Sequence, residues 1–180
     1  MKMTVSLFAA CGLMLLISCQ KNEGPLTEEQ KSQIADSTKQ VVEQYFGYVS
    51  KLDFASAFAL CADNADARYV ENGAIFPSLE ELKATYAQLK LALEPIVEVT
   101  ENKVDKWNIL VLSNDAVLMT LPVNFKMKYK GRPEYNGHYV WSSALQRLNG
   151  KWTIIQTHES FTNYPEFIAG ITPPQLAETE

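Results

Sequence analysis

The chain has 180 residues, of which 16 are basic and 21 acidic, for a net charge of −5. That length supports a single hydrophobic core, and an acidic balance without any basic patch interleaved with aromatics speaks against nucleic acid as a partner. An acidic exterior is also repelled by an anionic membrane surface, so contact with a membrane needs another device.

The N-terminus offers one. Lys2 followed by the apolar run from Val5 to Ile17 has the charge and hydrophobic pattern of an export signal, and is short for a bilayer span. Leu16-Ile17-Ser18-Cys19 resembles the lipobox of bacterial lipoproteins, in which cleavage precedes the cysteine and the cysteine is acylated. The expectation is a signal over residues 1–18, a polar tether over 19–26, a domain over 27–162 and a proline-containing tail over 163–180. Processing would leave 162 residues carrying 15 basic and 21 acidic side chains, exported and anchored by lipid on Cys19 to the periplasmic or cell-surface side of a bacterial membrane. Cys11 leaves with the signal and Cys19 takes the lipid, so Cys61 has no partner for an intramolecular disulfide. Cys61 continues the helical spacing Phe54, Ala57, Phe58 and reads as a small buried hydrophobe.

Thr27-Glu28-Glu29-Gln30 has the capping-box pattern and opens a first helix with an apolar stripe at Ile34, Val41, Val42, Tyr45, Phe46 and Val49. Asp53 caps a short second helix through Leu60. Asn72-Gly73 is a turn signal between Arg68-Tyr69-Val70 and Ala74-Ile75-Phe76, predicting a small strand pair. Ser78-Leu79-Glu80-Glu81 opens a third helix, with Leu79, Leu82, Tyr86, Leu89 and Leu93 on one stripe and Pro95 at its end.

From Ile96 the period switches to two. Val97–Thr100 and Trp107–Leu112 read as strands. The next strand sends Val117, Met119, Leu121, Val123, Phe125, Met127 and Tyr129 one way, with Pro122 predicting a bulge or a free edge. Gly137–Phe161 is a hairpin about Asn149-Gly150, a dipeptide that tolerates the positive φ values of a type I′ turn. A uniform ladder pairs Leu148 with Lys151, Arg147 with Trp152, Leu145 with Ile154, Ser143 with Gln156 and Trp141 with His158. It gathers Tyr139, Trp141, Ser143, Leu145, Arg147, Trp152, Ile154, Gln156, His158 and Ser160 on one face. The smaller Val140, Ser142, Ala144, Gln146, Thr153, Ile155 and Thr157 take the other with Glu159, a flat surface suited to a neighbour.

Three helices followed by a long antiparallel sheet argue for an α+β fold with the helices packed on one face of a curved sheet. The order of elements, Asn114-Asp115-Ala116-Val117 before a strand, and Gly150-Lys151-Trp152 running on to His158-Glu159-Ser160 together resemble the nuclear transport factor 2-like superfamily, particularly its SnoaL-like branch. The resemblance covers about Thr27 to Thr162. It implies a cone in which a strongly bent mixed or antiparallel sheet wraps the helices around a cavity, and often a homodimer through the outer sheet face.

Members of that superfamily include isomerases, dehydratases and cyclases as well as binding and assembly modules, so the site has to decide. On the predicted parity the cavity wall comprises Tyr45, Tyr69, Met119, Phe125, Tyr139, Trp141, Ser143, Gln156 and His158. No Asp or Glu is among them, Glu159 having the opposite parity and Asp66 and Glu71 lying in an irregular segment. The resulting expectation is a small, largely apolar ligand held without catalysis. One alternative is an isomerase or dehydratase with His158 as base, a Tyr as donor and an acid from Asp66 or Glu71. Another is a structural dimerisation module whose cavity is filled by Trp141, Trp152, Phe125 and Met119. His138 and His158 are predicted to face opposite ways, which leaves no metal-ligand cluster. No phosphate loop, nucleophile elbow or cofactor motif is found.

Overall fold

A computed structural model describes residues 24–71 and 73–162. The segment predicted as an export signal, Cys19 and most of the predicted tether lie outside the described residues, as does the tail from residue 163. Among the described residues no helix is long and apolar enough to cross a membrane.

Helix α1 (Glu28–Val49) begins at the predicted capping box: Thr27 Oγ1 accepts from Gln30 N, and Gln30 Oε1 accepts from Thr27 N. It buries Ile34, Thr38, Val42, Tyr45 and Phe46. Helix α2 (Phe54–Phe58) is capped by Asp53, whose carboxylate accepts from Ser56 N. Strands β1 (Arg68–Glu71) and β2 (Ala74–Phe76) form the small pair, closed through Gly73 at φ 83°. Helix α3 (Leu79–Leu93), capped by Ser78, buries Leu79 and Leu82 and leaves its second half at the rim of the sheet.

The remaining strands are β3 (Val97–Val104), β4 (Ile109–Ser113), β5 (Ala116–Tyr129), β6 (Tyr135–Leu148) and β7 (Lys151–Phe161). They form one seven-stranded sheet in the order β2-β1-β7-β6-β5-β3, with β4 also paired to β5. β1 runs parallel to β7 and the other pairs are antiparallel. The sheet is strongly curled, and the helices pack against its concave face. This is the α+β cone expected from the order of elements.

β5 alternates as predicted through Phe125. Pro122 lies opposite the gap between β3, whose pairing stops at Val104–Val123, and β4, whose pairing starts at Ile109–Met119. Its carbonyl, which points to the same side as its nitrogen, accepts from Asp105 N, so the missing N–H costs no strand ladder bond. The free-edge alternative is therefore the one realised, and β5 pairs with β6 without a bulge.

The Asn149-Gly150 turn has both φ values positive, 50° and 79°, and the predicted pairs hold from Leu148–Lys151 to Leu145–Ile154. There the ladder slips. Ile155 is an extra residue on β7, so Ala144 faces Gln156, Ser143 faces Thr157 and Trp141 faces Glu159. A bulge of this kind reverses the parity of everything beyond it. Thr157, Glu159 and Phe161 consequently join the concave side, while Gln156, His158 and Ser160 turn to the outside. That corrects the predicted face of His158 and Gln156, and with it the predicted opposition of the two histidines. Both His138 and His158 are on the convex face, with no metal-binding cluster among the described residues.

Candidate functional site

Beneath α3 a cavity of about 320 Å³ opens between the helix and the sheet. Its apolar lining includes Val49, Leu52, Phe54, Leu89, Leu93, Phe125, Met127 and Phe161, and its polar lining includes Glu71, Tyr86, Asn102, Tyr139 and Glu159. Glu101 and Lys126 also border it, with Lys126 Nζ 3.8 Å from Glu101 and 3.7 Å from Glu134. The volume is at the small end of ligand pockets.

Glu71 and Glu159 are the feature sequence reasoning missed. In the parallel ladder Tyr69 pairs with Thr157 and Glu71 with Glu159, so the two carboxylates leave adjacent strands on the same side and at the same level. Glu71 is buried and accepts a hydrogen bond from Tyr86 Oη. Glu159 is half-buried, its side chain bordering the cavity. Burial pushes the Glu71 carboxyl up to about 7, against the opposing pull of the Tyr86 hydroxyl. Burial, and next the charge of Glu71, push Glu159 up to about 8. The two protons belong to the pair, and its first ionisation is favoured on Glu71, where the Tyr86 donor already stabilises the anion.

A second polar chain braces the opposite wall. Tyr139 Oη donates to Asn102 Oδ1 at 3.0 Å, and Asn102 N and Nδ2 donate to Ser50 Oγ at 3.1 and 3.2 Å. Tyr139 Oη and Ser50 Oγ thus hold the Asn102 amide between them, and both Tyr139 and Asn102 present polar atoms to the cavity. Burial raises the Tyr45, Tyr86 and Tyr139 hydroxyls well above their ordinary value, so all three stay protonated at neutral pH.

Of the nine residues predicted to form the wall, Phe125 and Tyr139 line the cavity. Tyr45, Tyr69, Met119, Trp141 and Ser143 are buried in the packed closed end of the cone, where the rings of Tyr45 and Phe46 lie 5.7 and 5.2 Å from that of Trp141. Tyr69 Oη donates to Ala62 O at 2.6 Å. Gln156 and His158 are exposed on the other side of the sheet. Arg147 keeps its predicted face but lies exposed at the hairpin tip beside α1, 3.5 Å from Asp115 and 4.7 Å above the Trp152 ring, away from the cavity. Asp66 is exposed in the loop before β1. Of the four residues of the filled-core alternative, Trp141 and Met119 are fully buried, Trp152 is half-buried, and Phe125 borders open space.

A family model described as a SnoaL-like domain matches residues 38–164, well over half of the chain. The chain belongs to the SnoaL-like family. No curated protein matches it in sequence. Among solved structures, the SnoaL-like domain is similar to a nuclear transport factor 2-like superfamily protein from Salmonella enterica serovar Typhimurium LT2, with 13% identity, a TM-score of 0.62, and 73% of this chain and 92% of that one covered. It is similar to the hexachlorocyclohexane dehydrochlorinase LinA-type3 from Novosphingobium barchaimii LL02, with 12% identity, a TM-score of 0.61, and 76% and 91% covered. It is also similar to the association domain of C. elegans CaMKII, with 14% identity, a TM-score of 0.58, and 74% and 99% covered. At such identities the likeness speaks for the fold alone.

Proposed function

We propose that the SnoaL-like domain is a small proton-transfer enzyme of the dehydratase or isomerase type, acting on a compact, largely apolar substrate. The observation that supports this reading is the Glu71–Glu159 pair, two carboxylates with raised and unequal proton affinities on the wall of an otherwise apolar cavity. The missing carboxylate was the sequence argument against catalysis, and the Ile155 bulge removes it. Glu71, ionised and steadied by Tyr86, takes a proton from a carbon of the substrate. Glu159, still protonated, gives its proton to the leaving hydroxyl, so that an alkene and water form and the pair ends with the proton count it started with. In an isomerisation the proton taken by Glu71 returns at another carbon. The apolar lining keeps water from competing for either group. That a dehydrochlorinase shares the fold is in keeping with elimination chemistry.

His158, the base of the sequence-based alternative, is exposed on the convex face and has no part in this scheme. The remaining elements of the reading are export, lipid on Cys19, and a homodimer covering the convex face.

5-Nitrobenzisoxazole, an activated carbon acid that a general base opens to a coloured phenolate, tests the base function directly. The full-length protein accelerates its opening, with a rate rising through about pH 7 as Glu71 ionises. The double substitution E71Q/E159Q lowers kcat/KM by about a hundredfold, the lower end of what a positioned base contributes. Saturable binding of the probe without turnover, or turnover unchanged in the double variant, overturns the enzymatic reading.

A further inference from the structure

The charge around the cavity is one-sided. Glu71 on β1, Glu159 on β7 and Glu101 on β3 border it, against Lys126 on β5. Lys126 is already held between Glu101 and Glu134. Among the described residues no basic side chain forms an ion pair with Glu71 or Glu159, and their polar neighbours Tyr45, Tyr86 and Tyr139 are uncharged. A buried carboxylate pair is ordinarily matched by a cation from its own chain. Here no matching charge stands beside the pair among the described residues, and the pair borders open space.

The walls around that space are aromatic. Phe54, Tyr86, Phe125, Tyr139 and Phe161 border the cavity, with the Phe54 and Tyr86 rings 4.8 Å apart and the Phe125 and Phe161 rings 5.7 Å apart, each pair edge to face. Aromatic rings attract a desolvated cation and repel an anion from their faces, and they accept an apolar body equally well. Tyr139 and Asn102 add oxygens to that wall that can accept from an N–H donor.

The geometry points to a hydrophobic amine, bound in its protonated form with the ammonium against Glu71 and Glu159 and the apolar body among the rings, as the ligand class this cavity selects. The inference rests on the cavity taking a small molecule, as in the proposed function, and not on its turning that molecule over. It also states what is refused: a carboxylate of the same shape meets the negative charge of the pair with no cation beside it among the described residues. Neutral isosteres lose the ion pair and keep the apolar contacts.

Calorimetric titration of the full-length protein at pH 7.5 with 2-phenylethylamine, 2-phenylethanol and phenylacetate tests this. The amine binds at least tenfold more tightly than the alcohol, and phenylacetate more weakly than either. In E71Q/E159Q the preference for the amine disappears while the alcohol keeps its affinity within about twofold, which also reports that the cavity is intact. If the double variant does not fold, the ranking in the unsubstituted protein decides alone. An amine that binds no better than the alcohol, or a preference that survives the double substitution, overturns the inference. In the unsubstituted protein, no amine preference with nitrobenzisoxazole turnover intact refutes only the ligand class. Amine preference without turnover refutes only the catalysis.

Discussion

Two glutamates facing each other across paired strands work against the fold whenever both are ionised, because each charge is desolvated and each repels the other. Unfolded, both titrate near 4.5; folded, they titrate near 7 and 8. Between those limits the folded chain holds protons that the unfolded chain has released, so the pair's contribution to stability is greatest below 4.5, falls as pH rises, and levels off above about 8. The slope is at most about 1.4 kcal/mol per pH unit for each group. Asp53, held low by its bonds to Ser56, titrates below this window and does not interfere. The urea midpoint of the protein therefore drops between pH 5 and pH 8.5, and E159Q flattens most of that drop; a midpoint independent of pH in the unsubstituted protein contradicts the pair. Cys61 is the opposite case, a residue whose role was legible from spacing alone. It is a free thiol buried in the core, its ionisation pushed up to about 12 by burial.

At the scale of elements, both the successes and the failure of sequence reading trace to periodicity. Capping boxes, turn dipeptides and the long alternation of β5 were legible because each is a local pattern with a local cause. The hairpin register was legible only as far as Ile154, since one inserted residue leaves no mark on composition and inverts every face after it. A signal was present: the apolar phase set by Trp152 and Ile154 gives way at adjacent isoleucines to the polar alternation Gln156, His158, Ser160. Glu71 was nearer to hand, two residues beyond the inward Tyr69 on a four-residue strand. What no local pattern carries is the parallel pairing of β1 with β7, a contact between segments far apart in the chain. The cavity wall depends on one further element-level fit. Gly137 pairs with Phe125, and a Cβ there would lie 2.6 Å from Phe125 Cζ and 2.8 Å from Tyr135 Cε1. Gly137→Ala thus forces the Phe125 ring toward the cavity, costs about 1–3 kcal/mol in urea unfolding, and reduces turnover of the nitrobenzisoxazole probe. A cost below about 0.5 kcal/mol means that the ring is not fixed by this glycine.

The whole molecule presents a convex sheet face on which Leu110 is 58% exposed, Leu112 54%, Leu118 41% and Val140 38%. Such a grouping on a domain otherwise studded with ion pairs is what a partner surface looks like. The proposed homodimer and the proposed anchor can be read in one series. Expressed without residues 1–19 the chain is soluble, light scattering gives twice the chain mass, and adding Leu118→Lys to it gives the single-chain mass. Absence of palmitate label on the full-length chain, or label that survives Cys19→Ser, refutes the lipid anchor, and a monomer before the lysine is introduced refutes the dimer.

The side-by-side placement of β1 and β7 also governs when the site comes into existence. One acid is made early in synthesis and waits; the other arrives with the final strand, after most of the sheet has been produced. A chain ended before β7 lacks Glu159 and Phe161 of the wall and the strand that joins β1 to β6. Pairing of β7 with β1 is therefore what brings together the two groups of the proposed site.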